Sequence, residues 1–84
     1  MALKTLLVMP ILDATWRRDD ELAIPPFVGL GIRIEVYNIL NVESVVVGDH
    51  GYDVTCIVSL EGMKPNDITE KLLTQLGFEK GVYI

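Results

Sequence analysis

The chain has 84 residues, half of them hydrophobic and 23% charged, with a net charge of −5, one His and one Cys. That is the profile of a single packed domain, residues 1–84, near the lower end of sizes that fold without metals or disulfides. It excludes a disordered chain, and the lone Cys56 excludes an internal disulfide.

The charge is unevenly spread. Residues 1–42 carry four basic and five acidic groups, and residues 43–84 carry three basic and seven acidic. With no basic stripe to displace counterions from a phosphate backbone, direct nucleic-acid binding is not expected. The apolar run Leu6–Leu12 is broken by Pro10 and falls far short of the roughly 20 residues of a membrane-spanning helix. Asp13 follows it where a signal peptide would place small cleavage-site residues. The expectation is a soluble, cytoplasmic protein without membrane contact.

In chain order, residues 3–9 read as a strand, apolar on both faces and closed by Pro10, which suggests a central position in a sheet. Residues 13–26 are polar. Asp13 or Thr15 can cap a short helix that runs to about Ala23 and ends before Pro25-Pro26, and a long ordered loop is the alternative. In residues 28–36, Val28, Leu30, Ile32, Ile34 and Val36 alternate with Gly29, Gly31, Arg33 and Glu35, the period of a half-buried strand. Strand is the preferred reading here. Pro26 as a first-turn proline and Asn41 as a left-handed cap keep a helix over 27–40 open.

Val42–Gly48 and Tyr52–Glu61 read as two strands joined by a turn at Asp49-His50-Gly51. Pro65 breaks the second of them. Asp67 with Glu70 then suggests a capping box for a helix over 67–76, with Ile68, Leu72, Leu73 and Leu76 as its apolar stripe. Gly77 is the expected left-handed stop, with Phe78 folding back onto the last turn and residues 78–84 returning as a final strand.

These elements predict an α+β fold: an antiparallel sheet of four to five strands with one or two helices packed on one face. If 27–40 is helical, the order becomes β-α-β-β-α-β, and a ferredoxin-like sandwich is the specific expectation. That is an analogy of fold, and it carries no function.

The equipment for chemistry is sparse. His50 between Asp49 and Gly51, with Asp53 nearby, has too few partners for a metal site and is explained as turn chemistry. Cys56 lies mid-strand on an apolar face, as a small hydrophobe. Gly29-Leu30-Gly31 begins like a phosphate loop, but position 34 is Ile where the third glycine belongs, and no Lys-Ser/Thr follows. No catalytic residue, metal or cofactor is predicted, and the chain does not read as an enzyme.

Trp16-Arg17-Arg18 is the leading partner-binding candidate, because Trp and Arg are enriched at interface hot spots. The competing assignment is that Trp16 caps the sheet while the arginines pair with Asp19, Asp20 or Glu21. The functional expectation is a small protein–protein interaction or assembly subunit that self-associates through its sheet, an accessory component of a larger complex or a viral or mobile-element product. Val45-Val46-Val47 and Val28–Val36 carry few charges to blunt an edge. The alternative is a regulatory module binding a metabolite at a homodimer interface, with Gly29, Gly31 and Arg33 as ligand residues.

Overall fold

Two hairpins meet side by side to build this molecule, and the joint between them is parallel. The computed structural model describes residues 2–12, 14–35, 38–48 and 51–81. Strand β1 (Leu3–Ile11) pairs antiparallel with β2 (Ala14–Leu22). Strand β3 (Gly31–Glu35) pairs with β4 (Asn38–Val47), and β4 pairs with β5 (Val54–Leu60), both antiparallel. Strand β5 then lies parallel to β1. A 3-10 turn (Pro65–Asp67) and helix α1 (Glu70–Gln75) lead to β6 (Glu79–Gly81), which pairs with β2. The result is one six-stranded mixed sheet in the order β3-β4-β5-β1-β2-β6.

This overturns the expected ferredoxin-like α+β sandwich. The sheet has six strands, one pairing is parallel, and one six-residue helix is present among the described residues. The segment read as a helix or loop is β2. Its alternation is hidden in composition, because one side carries Thr15, Arg17, Asp19 and Glu21 while Arg18 and Asp20 interrupt the other. What makes it a strand is β1 alongside: Met9 faces Trp16, Leu3 faces Leu22, and Lys4 faces Glu21. Cross-strand pairs of this kind override weak intrinsic propensity. Thr15 therefore caps no helix, and Asp13 lies outside the described residues.

The expected strand over 28–36 exists as β3, but its first residues form a turn. Leu30 N–H donates to the Phe27 carbonyl at 3.0 Å, and Gly29 supplies the positive φ of a type II turn (+96°). The helical alternative for 27–40 fails because Asn38–Asn41, at its far end, already pair with β3. The expected central position of the first strand holds, since β1 has β5 on one side and β2 on the other. It runs through Pro10 to Ile11 rather than stopping at Met9.

A one-residue bulge in β4 reconciles its sequence with a single buried face. Leu40 and Val42 face Leu60 and Val58, yet Val45 faces Cys56, so the apolar spacing slips by one. The register shift between Val42 and Ser44 absorbs the extra residue, Glu43. The core then forms on the helix side of the sheet. Leu7, Met9, Trp16, Leu40, Val42, Cys56 and Val58 pack there against Ile68, Leu73, Leu76 and Phe78.

Helix α1 begins later than the expected capping box. Thr69 is the N-cap, its hydroxyl accepting from Leu72 N–H at 3.2 Å, and Asp67 falls in the preceding 3-10 turn. Its end is as expected. Gly77 takes φ +87°, Phe78 N–H donates to the Leu73 carbonyl at 2.9 Å, and Gly77 N–H donates to that of Thr74. The Arg18 guanidinium supports the same terminus by donating to the Leu76 carbonyl at 2.9 Å. Residues 82–84 of the expected last strand lie outside the described residues.

The β1–β2 hairpin stores strain. Ile11 pairs with Ala14, leaving two residues for the turn, and Leu12 sits there at φ +57°. A left-handed conformation costs a branched residue about 1–2 kcal/mol, whereas Asn tolerates it. Leu12 is exposed, so little burial is lost on replacing it. Leu12→Asn should stabilise the fold by about 0.5–1 kcal/mol, read as a rise in Tm of several degrees for a domain of this size.

Candidate protein-interaction edge

Each outer strand of the sheet is shorter than the strand it covers, which leaves two stretches of open edge. Strand β6 pairs with Thr15–Arg17 and, among the described residues, leaves Arg18–Leu22 of β2 uncovered. Strand β3 pairs with Asn38–Asn41, and the turn before it reaches Val42 through two main-chain bonds, Gly29 N–H to the Val42 carbonyl and Val42 N–H to that of Leu30. Beyond that point no strand covers Glu43–Val47 among the described residues.

The two open stretches differ in chemistry. The β2 stretch carries Arg18, Asp19, Asp20 and Glu21, charges that discourage another strand from docking. The β4 stretch opens on Glu43 and then reads Ser44-Val45-Val46-Val47 without a charge, with Val46 45% and Val47 80% exposed. Its main chain is aimed outward at alternate residues. Gly48 N–H bonds inward to the Asp53 carbonyl, so Val47 and Val45 turn their N–H and C=O groups away from β5. At the other end of this stretch stands the turn bearing Phe27 (56% exposed) and Val28 (68%). From Val42 to Val47 the edge extends about 17 Å at ~3.4 Å per residue.

The residues expected to form a partner surface are not brought together. Trp16 is buried in the core, opposite Met9 on one side and Lys80 on the other. Arg18 shares that face and is held by the helix end. Arg17 lies on the opposite face, where it donates to the Tyr52 hydroxyl at 3.1 Å and stands 3.7 Å from Asp19. Both arginines border a shallow polar cleft with Asp19, Gly77 and Glu79, but their guanidinium groups are already engaged.

The expected ligand residues also take structural positions. Gly29 makes the turn, and Gly31 opens β3 where an added Cβ would lie 3.2 Å from Ile39 Cγ2. Arg33 is exposed on the edge strand β3. None of the three lines either cleft described for this molecule. Asp49 and His50 lie outside the described residues. Asp53 accepts from Lys4 N–H at 2.8 Å, tying β5 to β1. Cys56 is fully buried, and burial pushes its thiol pKa up. Among the described residues no group of three His, Cys, Asp or Glu could hold a metal ion, and no helix is long and apolar enough to cross a membrane.

On the face away from the helix, Tyr52 reaches from the start of β5 across β1 to β2. Its hydroxyl donates to Asp19 Oδ1 at 2.6 Å, and Lys4 Nζ sits 5.0 Å from its ring centre. The bond to Asp19, helped by burial and by the carboxylate charge, holds the phenol pKa above its usual value of 10.0. A raised pKa for a group that is neutral when protonated stabilises the fold below the unfolded value and is lost as pH climbs through the folded one. From pH 9 upward, at about the phenol pKa and beyond, the native chain should lose stability faster than Tyr52→Phe, as measured by urea midpoints at each pH.

No family model matches the chain, and no curated protein or solved structure matches it.

Proposed function

We propose that this chain is a small, non-enzymatic assembly subunit that self-associates by pairing the open half of β4 with the same strand of a second copy. The observation that carries this reading is the uncharged stretch Ser44–Val47, with Val46 and Val47 exposed and the main chain of Val45 and Val47 turned outward, where the opposite sheet edge is charged. A two-fold axis beside Val46 sets Val45 against Val47 of the second copy and Val47 against its Val45. Both outward-facing residues then satisfy their main-chain groups. Strand addition needs no preformed pocket and supplies affinity through main-chain hydrogen bonds, which suits a chain of this size.

The test is molar mass by light scattering on a sizing column across a concentration series. The native chain should run as a discrete multiple of 9.4 kDa. Val47→Lys places a charge on the open edge and should return the mass to that of one chain at every concentration. Because Val47 is exposed, its replacement should leave the far-UV circular dichroism spectrum native, while the urea midpoint loses the dependence on protein concentration that self-association gives the native chain. A native chain that stays a monomer throughout the series would sink the proposal.

A further inference from the structure

Strands β1 and β5 part company at a defined residue. Their last rung joins Val8 to Ile57. In a parallel ladder the next rung would require the N–H of residue 10 to donate to the Val58 carbonyl. Residue 10 is proline, which has no N–H. Beyond this point the two strand ends frame a cleft of about 240 Å³, and the Val58 carbonyl faces the gap with no ladder donor opposite. Val42, opposite Val58 on β4, turns its main chain outward to Gly29 and Leu30, which fixes the Val58 main chain toward β1.

The walls are Met9, Ile11, Leu60, Met63 and Ile68, the last two supplied by the segment leading to α1. Ser59 and Glu43 also line it, Glu43 being the residue that the β4 bulge leaves without a cross-strand partner. No basic side chain pairs with Glu43 among the described residues. The cleft therefore has largely apolar walls bordered by one acidic residue, the Val58 carbonyl faces it, and no basic residue lines it.

We propose that this cleft is a binding site for a small organic cation, a primary amine with a compact apolar body. The ammonium carries three donors and a positive charge, matching the Glu43 carboxylate and the Val58 carbonyl. The two methionines adapt to the shape of the body. A carboxylate of the same length meets Glu43 and is repelled, and an alcohol forfeits the charge. The site adjoins the proposed pairing of β4 at Glu43, the first residue of the open stretch, and the cleft itself is formed within one copy of the chain.

The experiment is an amide-resolved NMR titration of the labelled native chain with n-hexylamine, n-hexanol and hexanoate at matched ionic strength. The amine should shift Ile11, Ser59, Leu60, Met63 and Ile68 saturably, and the alcohol and the acid should bind at least about tenfold more weakly. Glu43→Gln should weaken the amine about tenfold or more while the spectrum stays dispersed. Pro10→Ala supplies the missing donor, so its new amide should resist hydrogen exchange while amine binding is lost. Equal binding of hexanol or hexanoate, shifts that do not saturate, or unchanged affinity in Glu43→Gln or Pro10→Ala would each overturn the proposal.

Discussion

Trp16→Ala should lose about 3–5 kcal/mol of stability. A domain of this length holds roughly 4–12 kcal/mol in all, at about 0.05–0.15 kcal/mol per residue. The residue is 3% exposed and packs on the helix side of the sheet where β2 joins β1 and β6. Truncation opens a cavity at that junction, and the loss is read as a fall in the urea midpoint followed by far-UV circular dichroism. Trp16→Phe behaves differently. The indole Nε1 is buried with no acceptor, so phenylalanine removes an unsatisfied donor along with some volume. Its net cost should stay below about 1.5 kcal/mol. An unchanged midpoint in Trp16→Ala would remove the residue from the core and restore it to the surface role suggested by its neighbours Arg17 and Arg18.

Leu73→Ala should cost about 2–5 kcal/mol, although alanine is the better helix former. Helix α1 has only six residues, well under the roughly 12–15 that hold a helix in isolation. It exists because Leu73, fully buried, and Leu76 fasten it to the sheet, with Thr69 and Gly77 closing its ends. Strand β6 is three residues long and hangs from that closure through Phe78. Loss of Leu73 should therefore release β6 from β2 before the central strands yield. Hydrogen exchange in Leu73→Ala should show protection falling first at Glu79–Gly81 and later at Leu6–Val8. Equal protection at both places, or no change in stability, would show that the sheet does not depend on α1.

What could be read from the chain before its structure divides along physical lines. The β4–β5 hairpin and the Gly77–Phe78 helix stop depend on neighbours in sequence, and both were legible. The central place of β1 was legible from a side-chain pattern apolar on both faces. Strand β2 was not, because Arg17 to Glu21 have no strand signature and acquire one only through the register with β1. The helix cap at Thr69 was missed because Asp67 and Glu70 offered a competing motif at the same spacing. For the site, Val45-Val46-Val47 already stood out as an unblunted apolar run. That half of it is uncovered depends on where β3 begins, and the turn at Phe27–Leu30 decides that. The cleft was out of reach, since it requires Pro10 and Val58 to lie opposite each other in a parallel pairing that sequence alone does not announce.

That parallel pairing also sets an order of assembly. Lys4 and Asp53, which fasten the start of β1 to β5, stand 49 residues apart in the chain. At about 5–20 residues per second on the ribosome, β1 waits roughly 2–10 s for this flank to be synthesised. The β1–β2 hairpin is local and available from the outset, but an isolated two-stranded hairpin is marginal in water. Throughout that interval one side of an apolar strand lies open, and the strand on its other side is the one bearing Arg17, Arg18, Asp19, Asp20 and Glu21. Those charges discourage pairing along the β2 edge of the hairpin, so the apolar side of β1 is the one edge exposed to wrong partners until β5 arrives.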